Sequence, residues 1–336
     1  MKDIITLAHG SGGKLTHNLI SELFHKYFSN DLLLESGDAA VFDIDKGRMA
    51  FTTDSYVITP IFFKGGNIGK LAVCGTVNDL AVSGAKPLYL SCGFILEEGF
   101  PVKELEEIVK SMAETALEAG VAIVTGDTKV VQKGGADRLF INTSGVGVIA
   151  DGISYSPSKI QEGDKIIISG TMGDHGTAIL LEREKFQVQS SIQSDCAPLS
   201  GMIDAVLKKF GSAVRVMRDP TRGGVATTLN ELVKDRSIGI RISEDELPVK
   251  DEVKGICEML GLEPLYMANE GKILLAVDSE VCEEILKIMK EHPYGRDAAV
   301  IGEAVKDYPG KVFMHTLTGG NRIIDMLVGD QLPRIC

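Results

Sequence analysis

A polar, proline-bearing stretch divides this sequence into two halves. The stretch DGISYSPSKIQEGD occupies residues 151–164 and lacks the apolar periodicity of a helix or a strand. A chain of 336 residues is too long for one ordinary hydrophobic core, so two domains are expected. We therefore predict an N-terminal domain over 1–150 and a C-terminal domain over 155–328, followed by a mobile tail at 329–336.

Both halves alternate strand-like and helix-like segments, which favours domains of the α+β or α/β class. In the first half, the predicted strands are 38–44, 48–58, 121–127 and 138–150, and the predicted helices are 67–84 and 101–117. The second half opens with a strand–turn–helix unit at 165–184. Its further predicted helices lie near 200–210, 222–235, 249–260 and 279–291, and its further strands near 238–243, 272–278 and 298–305.

The charge balance argues against a nucleic-acid partner. The 47 acidic residues outnumber the 35 basic ones and give a formal net charge of −12, which repels a phosphate backbone. No run of about 18 apolar residues is present, so no membrane span is expected. The N-terminus lacks the apolar stretch of a signal peptide. These features predict a cytoplasmic protein.

The cysteines favour reduced thiols over disulfides or a zinc site, because none of the six forms a CxxC pair. Most lie in apolar contexts, and we expect Cys92 and Cys196 to be packing residues. Cys336 differs, since it is the last residue of the polar tail GDQLPRIC. A terminal thiol on a mobile tail is exposed and easily delivered to another site. An incidental terminal cysteine is the alternative interpretation.

A glycine loop, HGSGGK, occupies residues 9–14. Closely spaced glycines let backbone N–H groups approach an anion, and Lys14 adds a positive charge. The loop matches neither the Walker A pattern nor the dinucleotide-binding GxGxxG pattern. On its own, it is more typical of an ordinary N-terminal turn.

Aspartates recur at the ends of predicted strands. These are Asp38, Asp54, Asp127 and Asp219, whereas Asp79 lies in the nearly uncharged predicted helix 67–84, on a face expected to be buried. A buried carboxylate requires a cation, a metal or hydrogen-bond donors, and Mg²⁺ prefers oxygen ligands. Any single aspartate is more simply a cap or turn residue. As a set they indicate a magnesium site.

Two further segments carry candidate site residues. Lys129 follows Asp127 in TGDTK, and Glu270 lies in ANEGK between an apolar stretch and a predicted strand. A desolvated Glu270 is a candidate general base, and an exposed turn glutamate is the alternative.

Taken together, the motifs resemble the HypE family of hydrogenase maturation factors. The resemblance rests on HGSGGK, GDAAVFD, TTDSYV, GNIGKLAVCGTVNDLAVSGAKP, CGFILEEG, TGDTKVV, SGTMGDHG, DPTRGG, ANEGK and the terminal PRIC, and it runs from residue 9 to the last residue. The motifs GDxA, NDLAxxGAxP and DPTRGG are also similar to those of aminoimidazole ribonucleotide synthetase, selenophosphate synthetase and thiamine monophosphate kinase.

The resemblance implies a fold, a reaction and partners. The N-terminal domain would form a β-barrel with its mate in a homodimer, with ATP between the subunits, and the C-terminal domain would be an α/β sandwich. Cys336 would receive a carbamoyl group from HypF. ATP would then drive dehydration of the thiocarboxamide to a thiocyanate, and the cyanide would pass to iron in the HypC–HypD complex.

The resemblance also implies residue roles. The expected nucleotide-binding residues are Lys14, Asp38, Thr53, Asp54, Asn78, Asp79, Gly126, Asp127 and Asp219, of which Asp38, Asp54, Asp79 and Asp219 would hold Mg²⁺. Lys129 would polarise the carboxamide oxygen or the γ-phosphate, Glu270 would take the proton, and Cys336 would carry the substrate.

Two alternatives remain at this point. The first is a small-molecule ATP-dependent synthetase or kinase of the same superfamily, for example one similar to selenophosphate synthetase, with an incidental Cys336. Ser11 weakens that example, because selenophosphate synthetases tend to carry a reactive cysteine there. The second is a non-enzymatic docking protein that presents a cysteine to partners, which the acidic set disfavours.

Overall fold

The computed structural model describes residues 4–6, 9, 18–31, 47–184, 190–327 and 335. A π-helical turn at Ile20–Phe24 leads into α1 (His25–Phe28). The first half continues with β1 (Arg48–Tyr56), β2 (Phe62–Phe63), β3 (Gly66–Asn67), α2 (Ile68–Val82), β4 (Ala85–Glu97), α3 (Val102–Ala119), β5 (Ala122–Val131) and β6 (Leu139–Ile149). Among these described residues, no helix is long and apolar enough to cross a lipid bilayer.

The first sheet has the strand order β1-β6-β4-β5, with β4 and β5 parallel and the other pairs antiparallel. Helices α2 and α3 pack against each other on its inner face. On the outer face, the large apolar side chains of Met49, Phe51 and Ile95 are exposed. Among the described strands, β1 and β5 are the edges of this sheet.

Helix α2 is apolar around most of its circumference because it is enclosed on several sides. The Asn67 side chain caps its start by accepting hydrogen bonds from the N–H groups of Gly69 and Lys70. The chain leaves the helix through Gly84, whose φ of +85° favours glycine. A helix enclosed in this way fixes the few polar side chains that it carries.

The second half is built on a larger sheet. Its elements are β7 (Lys165–Ile168), α4 (Asp174–Glu184), α5 (Ser200–Phe210), β8 (Val214–Arg218), α6 (Gly224–Val233), β9 (Gly239–Ser243), α7 (Asp251–Leu260), β10 (Leu274–Val277), α8 (Cys282–Glu291), β11 (Ala299–Val305), β12 (Val312–His315) and β13 (Asn321–Ile324). The strand order is β13-β12-β9-β11-β7-β10-β8, and only β12 and β9 of these described strands pair in parallel.

The second sheet is covered on both faces, as expected for an α/β sandwich. Residues of α6, such as Leu229, share a buried cluster with Ile166 and Ile240 of the sheet. Residues of α5 and α8, such as Met202, share a second cluster with Ile167. Neighbouring residues of β7 therefore enter different cores, because side chains alternate across a strand.

The predicted helices of both halves are confirmed to within a few residues. Six of the described strands were not predicted: β2, β3, β4, β8, β12 and β13. Strand β4 contains Pro87 and Gly93, which are typical of turns, and the pairing with β6 shifts register between Pro87 and Tyr89. The irregularity accommodates a residue that cannot donate a backbone hydrogen bond. The predicted strand 38–44 lies outside the described residues.

Candidate active site

Alternation along β1 places neighbouring residues on opposite faces of the first sheet. Thr52, Asp54 and Tyr56 are on the inner face, and Thr53 is exposed on the outer face. The Thr52 hydroxyl donates a hydrogen bond to Oδ2 of Asp79 on α2, at 2.8 Å. The inner face of β1 therefore meets the polar end of α2.

Asp79 is half-buried, whereas the sequence predicted a buried face. The reason is that this part of α2 borders a cavity of about 450 Å³. Thr52 and Arg48 of β1 line this cavity, together with Arg218 and Asp219 at the end of β8. The open side of the cavity leaves the Asp79 carboxylate partly hydrated.

The carboxyls of Asp54, Asp79 and Asp219 form an acidic cluster. Burial raises the pKa of Asp54 to about 6, and the negative charge of Asp79 is the next contribution. Burial and then Asp79 raise the pKa of Asp219 to about 7. Arg222 acts in the opposite direction on Asp54. The Asp79 carboxylate is therefore close enough to Asp54 and Asp219 to disfavour their ionisation.

The acidic cluster fits a hard divalent cation, because the donors are carboxylate oxygens and a cation would relieve their repulsion. In the described part of the chain, no three His, Cys, Asp or Glu side chains converge at metal-binding distance. Asp38, the fourth predicted magnesium ligand, lies outside the described residues, as does Lys14. The magnesium set stays a prediction.

Glu270 is enclosed, with 4% of its surface exposed. Burial raises its pKa well above 4.5, followed by the effects of Cys196, Asp195, Asp219 and Asp54. Its Oε1 atom has no hydrogen-bond partner among the described residues. The structure therefore favours the desolvated carboxyl over the exposed turn glutamate.

Strand pairing brings Glu270 near the acidic cluster. Antiparallel β10 and β8 place Leu274 opposite Arg218, so the residues before Leu274 lie beside Asp219. At Gly271, an added Cβ would come within 1.8 Å of the carbonyl oxygen of Asp195. Glycine is required there because the two chain segments touch backbone to backbone.

A buried ion pair adjoins Glu270. The Glu270 N–H donates to Oδ1 of Asp195 at 3.0 Å, and the Lys272 ammonium lies 3.0 Å from Oδ2. Burial alone would raise the pKa of Asp195, but Lys272 and the hydrogen bond from the Glu270 N–H hold it below its ordinary value. Asp195 is therefore a fixed negative charge that also discourages ionisation of Glu270.

Asn78 connects α2 to the same region. Its amide nitrogen donates to the carbonyl of Ala197 at 3.1 Å, and its side-chain oxygen accepts from the N–H of Leu199 at 2.8 Å. A weaker contact reaches the carbonyl of Glu270 at 3.5 Å. Asn78 thus fixes the 195–199 segment against α2.

Other predicted site residues lie on the outer face and the β5 edge. Lys129 and Asp127 are exposed, with their charged atoms 3.5 Å apart. A Cβ at Gly126 would meet the carbonyl of Cys92 at 2.3 Å, so close strand contact requires this glycine. The structure therefore does not place Thr53, Asp127 and Lys129 beside the acidic cluster and Glu270.

The described cysteines are buried free thiols: Cys74, Cys92, Cys196, Cys257 and Cys282. Burial raises the pKa of Cys92, and burial together with the Cys74 thiol raises that of Cys196. The packing role predicted for Cys92 and Cys196 agrees with this enclosure. Cys336 lies outside the described residues.

The sequence reasoning missed His175, Ser194, Asp195 and Lys272. His175 is buried, with Nδ1 2.8 Å from the Ser194 hydroxyl and Nε2 2.8 Å from the carbonyl of Ile335. Lysine at the start of a predicted strand in ANEGK was a usable signal for Lys272. Asp195 and Ser194 lie in a segment without periodicity, so only the fold reveals them.

Comparisons with known proteins identify the family of this chain. Residues 36–149 and 161–315 match the N-terminal and C-terminal domains of AIR synthase related protein. A curated relative from Bradyrhizobium diazoefficiens, carbamoyl dehydratase HypE, is 52% identical over 332 residues, covering 99% of this chain and 96% of the relative. The chain belongs to the HypE family.

Two solved HypE structures extend the likeness to the whole fold. HypE in complex with ATP superposes with a TM-score of 0.94 at 46% identity, covering 98% of this chain and 99% of that one. HypE from a HypE–HypF complex superposes with a TM-score of 0.81 at 50% identity, covering 92% and 99%. The two-domain α/β fold implied by the HypE resemblance is confirmed, and the β-barrel formed with a dimer mate stays a prediction.

Proposed function

We propose that this chain is an ATP-dependent carbamoyl dehydratase that converts a thiocarboxamide on Cys336 into a thiocyanate during hydrogenase maturation. The observation that carries the proposal is the enclosed Glu270 carboxyl beside the acidic cluster, in a chain half-identical to a carbamoyl dehydratase. Removal of protons from a weakly acidic amide requires a strong, desolvated base. Phosphoryl transfer requires concentrated negative charge to be neutralised.

The acidic cluster serves the ATP side of the reaction. Asp54, Asp79 and Asp219 would hold Mg²⁺, which neutralises phosphate charge when bound. The cavity that Asp79 and Asp219 border opens to solvent and is also lined by Arg48 and Arg218, which suits an entering triphosphate. The ATP-bound HypE structure supports nucleotide binding by this chain.

The chemistry requires a change of leaving group. An amide oxygen leaves poorly, so the γ-phosphoryl group is first transferred from ATP to the carboxamide oxygen. The C–O bond then breaks as phosphate leaves, and the nitrogen loses two protons, one to Glu270 and one to the departing phosphate, to give S–C≡N. Glu270 takes a proton from nitrogen, because its raised pKa makes the carboxylate a strong acceptor.

Lys129 would polarise the carboxamide oxygen or the γ-phosphate. Its ammonium group is exposed at the β5 edge and lies outside the inner cavity. Its one described ion pair is with Asp127, and the charged atoms are 3.5 Å apart. A weak exposed pair releases its cation at little cost. Thr53, Gly126 and Asp127 of the same surface would contact the nucleotide.

The outer face of the first sheet supports a homodimer. Phe51 is 72% exposed, and Met49 and Ile95 are also exposed on that face. An apolar sheet face without cover favours association. Pairing of two such sheets would close the β-barrel that the family resemblance implies, and would bring the β5 edge of one subunit towards its partner.

HypF would supply the carbamoyl group, and HypC–HypD would receive the cyanide. The solved HypE–HypF complex supports the first partner. The described cysteines are free thiols, which suits a reducing compartment, so we place this chain in the cytoplasm. The domains 1–150 and 155–328 would deliver the two halves of the site, with residues 329–336 as the carrier.

The test is intact mass of the purified chain after incubation with HypF and its substrates, before and after addition of Mg·ATP. We expect a carbamoyl adduct on Cys336, followed by ATP-dependent loss of one water. Cys336→Ala should abolish the adduct. ATP consumption with a small-molecule acceptor by Cys336→Ala would instead support a synthetase or kinase of the same superfamily.

A further inference from the structure

His175 binds the C-terminal end of the chain with one ring nitrogen and the protein interior with the other. It lies in the first turn of α4 and has no exposed surface. Its Nε2 is 2.8 Å from the carbonyl oxygen of Ile335, and its Nδ1 is 2.8 Å from the hydroxyl of Ser194. The sequence separation is 160 residues to Ile335 and 19 to Ser194.

The partners define where the ring proton lies. A carbonyl oxygen only accepts, so Nε2 must carry the proton and donate to Ile335. Nδ1 then accepts from the Ser194 hydroxyl, whose oxygen in turn accepts from the N–H of Cys196 at 3.1 Å. Burial lowers the pKa of His175, which favours the neutral ring that this arrangement needs.

The ring is held in place without help from Ile335. Phe63 packs edge-on against it, with ring centroids 5.7 Å apart. The turn before α4 is fixed by a hydrogen bond from the N–H of Gly173 to Asn269, and the N–H of Ser194 donates to the carbonyl of Lys64. The donor at Nε2 is therefore a preformed binding point.

Ile335 is enclosed at this point. Only 5% of its surface is exposed, and it belongs to the same apolar cluster as Phe63, Ile179 and Cys196. Its side chain thus contributes apolar burial, while its carbonyl finds a donor that would otherwise be buried and unpaired. Both terms favour the docked position.

The same short segment supports both His175 and Glu270. Ser194 bonds the histidine ring, and the next residue, Asp195, accepts a hydrogen bond from the N–H of Glu270. Cys336 follows Ile335 directly in the sequence. Through His175, Ile335 is therefore connected to the same segment that supports the candidate base.

We propose that His175 is a positioning residue that binds the Ile335 carbonyl and so presents the Cys336 carboxamide to Glu270. The proposal deepens the dehydratase function and rests on it for the chemical step. The docking contact itself can be tested without that chemistry.

The experiment compares wild type with His175→Ala, His175→Gln and Ser194→Ala. Glutamine keeps an N–H donor near the position of Nε2, and alanine does not. His315→Ala is the matched control, because His315 lies on β12 and bonds to Asn321. The first measurement is the rate at which iodoacetamide alkylates Cys336, followed by peptide mass. The second is the single-turnover rate of water loss from carbamoylated Cys336 with Mg·ATP.

We expect His175→Ala to raise the alkylation rate about tenfold and to lower the rate of water loss about tenfold, the scale of one lost buried hydrogen bond. The ATP concentration for half-saturation should not change. His175→Gln should recover most of both effects, Ser194→Ala should be intermediate, and His315→Ala should match wild type.

Two results would overturn the proposal. The first is alkylation of Cys336 at the wild-type rate in His175→Ala. The second is equal impairment of the alanine and glutamine variants together with weaker ATP binding and a lower melting temperature, which would mean a structural role. Absence of water loss in wild type would contradict the proposed function instead, while the alkylation rates would still decide the docking contact.

Discussion

The acidic cluster and Glu270 are neighbouring carboxyl groups in different surroundings. Asp79 and Asp219 border an open cavity. Burial, and then the charge of Asp79, raises the pKa of Asp54 to about 6 and that of Asp219 to about 7. Glu270 is enclosed, and burial raises its pKa well above its ordinary value. The open group can take up a hydrated cation, whereas the enclosed carboxyl can exchange a proton with a bound substrate. Solvent access thus separates two roles within one set of acids.

The largest effect should come from the enclosed carboxyl. Glu270→Gln keeps the shape and removes the base, so the rate of ATP-dependent water loss should fall about 10³-fold. Carbamoylation of Cys336 should be unchanged, because it does not need the base. Single-turnover mass measurements check both. Dehydration at the wild-type rate would remove Glu270 from the mechanism.

The buried ion pair beside Glu270 should dominate stability. Lys272→Met leaves the Asp195 carboxylate unpaired, and the free energy of unfolding should fall by about 3–5 kcal/mol. Lys129→Met breaks the exposed pair with Asp127 and should cost less than about 0.5 kcal/mol. Urea unfolding of both variants gives the comparison. Similar losses would mean that the enclosure of the Lys272 pair is energetically unimportant.

Glu270 should also make stability depend on pH. With a raised pKa, the folded state binds more protons than the unfolded state above about pH 4.5, so wild-type stability falls as pH rises. Glu270→Gln lacks this term, and its advantage should grow by up to about 1.4 kcal/mol per pH unit. Unfolding curves from pH 5 to 8, roughly the usual range of maximal stability, test the slope. If the free energies of unfolding of wild type and Glu270→Gln changed with pH in parallel, the raised pKa of Glu270 would be contradicted.

The smallest effect concerns the open cluster. After burial, the charge of Asp79 is the next largest cause of the raised pKa of Asp54. Asp79→Asn removes that charge, so the pKa of Asp54 should fall from about 6 towards 3.8, by about one unit. Carbon-detected NMR titration of Asp54 measures it. Mg²⁺ should lower the same pKa in wild type and have less effect in the variant. An unchanged pKa of Asp54 in Asp79→Asn would mean that burial alone sets it.

The local spacing of apolar and polar residues was sufficient to predict most helices and strands and some of the site residues. The apolar stripe of α3, with Leu105, Ile108 and Met112 buried, follows from helical spacing alone. Asp219 could be predicted as a strand-end carboxylate, whereas Asp54 lies within β1 and not at its end. The sequence could not decide whether Glu270 is buried or exposed, because its burial depends on the pairing of β10 with β8 and on the 195–199 segment.

The remaining misses have the same origin. Strand β4 contains turn-type residues, and its strand conformation comes from pairing on both sides with β5 and β6. The Ser194–His175–Ile335 contacts join segments up to 160 residues apart, so no local pattern predicts them. Thr53 and Asp54 belong to the same motif and were predicted to share one site. The structure places their side chains on opposite faces of β1.

Helix α2 belongs to more than one core. Leu71 and Val77 are buried in the first-half cluster, which also includes Ile179 and Ala268 of the second half. At its other end, Ala81 and Val82 are buried with Met202 and Met289. Melting of α2 would expose apolar surface in both halves at once. The two halves should therefore unfold in a single cooperative transition, and neither half should be stable when expressed alone.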